Sequence, residues 1–140
     1  VKRTHLYALA CVVALVAVAP AFARQHDMND MSMKYDKATE RTISGTVEGV
    51  FEVPGNTAMS GTHLVVKMSS GEIHVHAGPG AFLASKKIAF QKGDKIEVVG
   101  SLVKGEGFEA ILARQIKRGS EVLTLRDASG KPLWSMKPGS

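Results

Sequence analysis

The sequence predicts an all-β fold, a small curved barrel, and three observations carry that prediction. Segments rich in β-branched or alternating apolar residues are separated by clusters of Gly, Pro, Asn and Asp, the mark of strands joined by turns. They run as three strands, one short helix, two strands and a terminal hairpin-like extension. Three strands, a helix and two strands is the connectivity of an OB-fold, a Greek-key barrel. Glycines at positions 45, 49 and 100 stand inside the strand patterns, where a tightly coiled barrel needs residues without side chains. A β-sandwich or an SH3-like barrel is the alternative packing of such strands.

Ile43 to Val53 is the first expected strand, closed by Pro54-Gly55-Asn56. His63 to Met68 is the second, with Leu64, Val66 and Met68 on one side. A tight turn at Ser70-Gly71 leads to the third, where Ile73, Val75 and Ala77 alternate with His74 and His76, so the two form a hairpin. Gly78-Pro79-Gly80 breaks that strand, and Ala81 to Phe90 holds a short helix resting on Phe82, Leu83 and Ile88. A turn at Gly93-Asp94 precedes a strand from Lys95 to Val103, and Gly105-Glu106-Gly107 turns the chain into a strand from Phe108 to Lys117, with Phe108 at a core position. Glu121 to Arg126 is the last strand, and Asp127 to Gly130 turns it toward Lys131-Pro132-Leu133-Trp134. Arg126 and Asp127 read as a charged pair at the mouth of this hairpin, and Trp134 as a plug or edge contact.

The first residues read differently. Lys2 and Arg3 precede an apolar run from Leu6 to Ala19, and Ala21-Phe22-Ala23 follows; charged n-region, apolar h-region and A-x-A site describe a cleaved signal peptide over residues 1–23. The run is shorter than the ~20 residues of a membrane span, and the expectation is a periplasmic or secreted protein with no span after cleavage. Val1 reads as a non-standard start, which points to a bacterium. Cleavage removes Cys11, the single cysteine, so neither a disulfide framework nor a thiol nucleophile is expected. It also removes Lys2 and Arg3, which takes the formal charge from +5 to +3. Residues 24–40 are polar and aperiodic and read as a flexible arm; residues 41–136 form the barrel, and 137–140 a tail.

The ordered segments resemble a family of small exported bacterial proteins with an OB-like domain. The likeness lies in Ser44-Gly45-Thr46-Val47, Gly61 to Lys67, Val75-His76-Ala77-Gly78-Pro79, Lys92 to Ser101, Leu123 to Asp127 and Gly130 to Trp134. It is similar to the domain shared by magnetosome-associated membrane proteins, sometimes labelled DNA-binding. The chain departs at Ala77, where a larger apolar residue is typical, and at Gly80-Ala81, where an aromatic is. The resemblance implies an OB-like barrel and a place in iron or redox handling, and it supplies no catalytic residues.

Histidines form the main candidate site. The expected turn pairs Lys67 with His74 and Val65 with His76, with His63 diagonal to His76. All three histidines then share the outer face of strands 2 and 3, because strand side chains alternate, and that face is the usual OB ligand platform. His63, Lys67, His74 and His76 form the expected ligand face, with Gly78 and Pro79 at its rim. Imidazole suits zinc, copper and iron, so His63, His74 and His76 are candidate metal ligands. Solvated or hydrogen-bonded histidines, or anion contact, are the other readings. The arm offers a second metal set, His26, Met28, Met31 and Met33, since thioethers select Cu(I); a polar leader that happens to hold three methionines is the plainer reading.

Other chemistries find little support. Phe51, Phe82, Phe90, Phe108, Tyr35 and Trp134 are scattered, as are the lysines and arginines, so the stacking platform and basic groove of a single-strand binder are not evident. Neither a nucleophile elbow nor a phosphate loop is present. The expectation is a non-catalytic exported binding module, an accessory in metal or redox handling whose partner is a metal ion or an envelope protein. The alternatives are a protein-interaction module at the cell envelope and a single-stranded nucleic-acid binder.

Overall fold

The computed structural model describes residues 34–135, apart from Ala58 and Glu106. The signal segment, His26, Met28, Met31 and Met33 of the arm, and the tail lie outside the described residues. The strands are β1 (Glu40–Val53), β2 (Gly61–Met68), β3 (Gly71–Gly78), β4 (Lys95–Gly105), β5 (Phe108–Arg118) and β6 (Glu121–Thr124). One helix, α1 (Gly80–Ser85), follows β3, and 3-10 turns stand at Lys37–Thr39 and Leu133–Ser135.

Strand β1 makes the barrel possible. Its first half, Glu40 to Thr46, pairs with β4, and its second half, Thr46 to Val53, pairs with β2. A strand shared by two neighbours must coil sharply, and a bulge between Val47 and Gly49 adds twist there. Gly45 lies at the changeover, where a Cβ would collide with the Lys67 carbonyl and with Val66 Cγ1 at 2.7 Å. Gly100 in β4 is held against the Leu112 carbonyl and Ile111 Cγ2 in the same way. Antiparallel pairing runs β3-β2-β1-β4-β5, and a parallel contact of His74, Val75 and His76 with Ala110, Ile111 and Leu112 closes the ring. The fold is therefore the expected OB-like five-stranded barrel, with β6 added to the free edge of β5.

Inward positions supply the core: Val47, Leu64, Val66, Val75, Val98, Ile111 and Ile116 are buried, with Leu83 and Ile88 covering one end. The helix is shorter than expected, since it stops at Ser85 and Lys87 takes a left-handed φ of 56°. Phe108, expected in the core, is half-buried at the start of β5 and outside the core cluster. Strand β6 ends at Thr124 rather than Arg126, after which Arg126 forms an isolated bridge with Pro132.

Residues 34–40, expected at the end of the arm, are docked on the barrel. The buried Ser101 hydroxyl accepts from the Asp36 amide at 3.0 Å and meets Thr39 Oγ1 at 2.9 Å. Glu40 receives the Arg114 guanidinium through Nε at 3.0 Å and Nη2 at 2.9 Å, and the Tyr35 hydroxyl donates to the same carboxylate. The Arg114 hydrogen bonds hold the Glu40 carboxyl down at about 2, while burial and the Glu40 contact push the Tyr35 hydroxyl up to about 12.

Candidate functional site

The hairpin that carries the histidines has a register two residues away from the expected one. Met68 pairs with Gly71 across a Ser69-Ser70 loop, so Val65 faces His74 and His63 faces His76 directly. A shift of two preserves the side-chain face, and the histidines still lie opposite Leu64, Val66, Ile73 and Val75. What changes is their neighbourhood. The β1–β2 connection folds back over one end of the outer face. His63 is 5% exposed and His76 4%; His74, Lys67 and Glu72 remain exposed farther along the hairpin.

Both buried histidines hold that connection through their ring nitrogens. His63 Nε2 donates to the Met59 carbonyl at 2.7 Å, and His76 Nε2 to the Ser60 carbonyl at 3.1 Å. A carbonyl oxygen only accepts, so each Nε2 carries the proton. The rings meet edge to face at 4.8 Å between centroids, and Phe51 stacks on His63 at 5.2 Å. Burial pushes His76 down to about 4, aided by the charges of His63 and Arg126 against the pull of its Ser60 hydrogen bond. His76 is therefore neutral at pH 7, with the lone pair on Nδ1. Among the described residues, no three His, Cys, Asp or Glu side chains are arranged as a metal-ligand set.

Alongside this pair lies a cleft of about 720 Å³. The β1–β2 connection and its flanks form one wall with Glu52 to Thr57, Ser60 and Gly61, the β3–α1 turn a second with Pro79, Gly80 and Ala81, and the C-terminal segment a third with Arg126, Pro132 and Trp134. Gly78, with φ of 99°, lets the chain turn there and leaves room for the indole; a Cβ would meet Trp134 Cζ3 at 2.9 Å. Phe82 supports Trp134 from α1 at 5.7 Å. Glu52 stands at the rim and accepts a hydrogen bond from Thr62 Oγ1.

Arg126 was missed as a site residue by the sequence reading. It does not pair with Asp127, whose carboxylate instead receives Ser129 and Lys131 amides at 2.9 and 3.0 Å. Arg126 is 7% exposed; its guanidinium donates through Nη1 to the Gly130 carbonyl at 3.0 Å and faces the rings of Tyr35 and Trp134 at 5.5 and 5.1 Å. It has no carboxylate partner among the described residues, and burial lowers its pKa. Two buried side-chain atoms lack a hydrogen-bond partner among the described residues, His76 Nδ1 and Arg126 Nε. Both residues line this one cleft.

The sequence profile of the MamS/MamX magnetosome protein family matches residues 39–123. The chain belongs to the MamS/MamX magnetosome protein family. The matched span runs from the residue before β1 into β6, so it holds Glu52, His76 and Pro79, while Arg126 and Trp134 lie beyond it. No curated protein matches the chain. Of the expected ligand face, His76 and Pro79 line the cleft and Gly78 packs under its tryptophan wall. His63 supports the β1–β2 wall from beneath, and Lys67 and His74 stand outside it.

Proposed function

We propose that this MamS/MamX family member is a non-catalytic binding module, exported to the periplasm or cell exterior, whose ligand enters the cleft between the β1–β2 connection and the C-terminal segment. One observation carries the proposal: the walls of the cleft include Trp134 and Arg126, a buried arginine without a carboxylate partner among the described residues. A buried charge without a counter-ion favours an electron-rich group in the cleft beside it. The volume is within the ~300–1,000 Å³ of small-molecule sites. Export is supported by the charged, apolar and A-x-A order of residues 2–23. Among the described residues no helix is long and apolar enough to cross a membrane.

An accessory part in metal or redox handling is supported by the family's magnetosome description and, in the arm, by His26, Met28, Met31 and Met33. The histidine face supports it less, because His63 and His76 spend Nε2 on carbonyls. A second reading, contact with an envelope protein, draws on Phe51, an aromatic side chain 40% exposed on the outer face of β1.

The readings separate in one experiment. Amide and indole NMR shifts are followed while small organic anions, Cu(I), Zn(II), Fe(II) and a single-stranded oligonucleotide are added in turn. The cleft reading expects saturable shifts at Glu52, Ser60, His76 and the Trp134 indole, lost when Ala81→Phe fills the opening. Shifts confined to Val50, Phe51, Lys67 and His74 would overturn it.

A further inference from the structure

Strand β6 leaves half of its backbone groups turned away from the sheet. Leu125 gives its amide to the Arg114 carbonyl at 2.8 Å, and bonded and non-bonded pairs alternate along an antiparallel ladder. Leu123 and Glu121 therefore bond to β5 through their pairs with Ile116 and Arg118, while Val122 and Thr124 point N–H and C=O the other way. No strand among the described residues lies on that side. Sheets commonly blunt such an edge with lysine, proline or a bulge. Strand β6 reads Glu-Val-Leu-Thr, and its pairing with β5 runs without a shift. Val122 is 54% exposed, more than any other large apolar side chain of the described residues. A groove of about 450 Å³ runs along β6, with Ile88, Leu123 and Leu133 as its apolar lining and the exposed Lys86 beside them. The acidic residue on this groove, Glu121, is held by Arg118 at 3.1 Å, whereas Lys86 has no carboxylate partner among the described residues.

We propose that β6 accepts an extended acidic segment of a partner protein as a further strand, with the segment's backbone on Val122 and Thr124 and a carboxylate on Lys86. Main-chain bonds to a free edge supply affinity in such strand addition, and the side-chain pockets beside it supply selectivity. Here Ile88 and Leu133 offer the apolar contact and Lys86 the charge. A second copy of this chain would bring its own β6, whose carboxylate is already held by Arg118, and a second Lys86. The charge on the edge therefore favours a different partner. No residue lines both this groove and the cleft of His76 and Trp134, so the two surfaces stand independently.

Amide NMR of the purified protein tests this with three short synthetic peptides: alternating valine and glutamate, alternating valine and lysine, and the glutamate peptide N-methylated at alternate amides. The glutamate peptide is expected to give saturable shifts at Val122, Thr124, Lys86 and Leu133. The lysine peptide is expected to bind at least ~3-fold more weakly at low salt, and the N-methylated one to give no shift. Lys86→Glu is expected to reverse the preference between the charged peptides. Val122→Pro removes an outward N–H without touching the bonds to β5, and is expected to abolish binding. Should that variant fail to fold, the N-methylated peptide on the wild type still decides. Equal shifts with the N-methylated peptide overturn strand addition, and equal affinity for the two charged peptides overturns the acidic partner. So does a concentration-dependent dimer that perturbs Val122 and Thr124 without peptide, which would make the occupant a second copy. Shifts at Ser60, His76 and Trp134 alone, or none at all, overturn the proposal and leave the cleft reading to its own test.

Discussion

Acidification should loosen this protein through one residue, His76. In the unfolded chain an imidazole takes up its proton near 6.5; in the folded protein burial delays that to about 4. Between those values the unfolded state binds more protons, so stability is complete above about 6.5 and is lost as pH falls toward 4. At ~1.4 kcal/mol per unit of pH, roughly 3 kcal/mol separates the two limits, and about 2 kcal/mol of it is gone by pH 5. The first structure to yield should be the β1–β2 connection, because protonation puts a second positive charge beside Arg126. The assay is urea unfolding at several pH values from 7.5 to 5, on the wild type and on His76→Gln, which keeps a donor for Ser60 but does not titrate. His63, His74 and Arg126 are common to both proteins, so the difference isolates His76. The wild type should lose about 2 kcal/mol more than the variant over that range. Parallel pH dependences, or a wild type that gains stability on acidification, would refute the argument.

Three further outcomes follow from the packing. Gly100→Ala drives a Cβ into the Leu112 carbonyl and Ile111 Cγ2, and should cost ~2–3 kcal/mol in thermal or chemical unfolding, whereas Gly49→Ala, with open space around the position, should be near neutral. Glu40→Gln removes the negative charge and one of the two oxygens that receive Arg114 and Tyr35; it should cost ~1–2 kcal/mol at pH 7 and abolish the part of stability that the wild type loses as pH falls from 4.5 to about 2. Gly78→Ala strains a backbone at φ 99° and displaces Trp134, so its tryptophan emission should shift to the red while the far-UV circular dichroism is retained.

The barrel was readable because its information is local. Alternation in β2 and β3, the order of turns, and glycines within strands each follow from one segment at a time, and together they specify an OB-like ring. The hairpin register was not, because Ser69-Ser70 and Ser70-Gly71 are both acceptable turns, and the choice depends on pairing with β1 and β5. The error of two residues left the faces right and the partners wrong. The histidines were placed on the correct surface, but their burial depends on where the β1–β2 connection folds, which no periodicity encodes. Arg126 was hidden for the same reason. Next to Asp127 in sequence it reads as half of an ion pair; in three dimensions Asp127 turns to its own loop, and the arginine turns inward toward Tyr35, ninety-one positions earlier (126 − 35). A buried cation without a carboxylate is a tertiary fact, and the sequence signal for it was limited to Tyr35 and Trp134 being aromatic.

The central claim is that His76 is a buried, neutral imidazole that holds the β1–β2 wall of the cleft through Nε2. Imidazole ¹⁵N NMR at pH 7 tests it directly. The account predicts a neutral His76 protonated on Nε2, with a bare Nδ1. A His76 ring protonated on Nδ1, or doubly protonated, would contradict it.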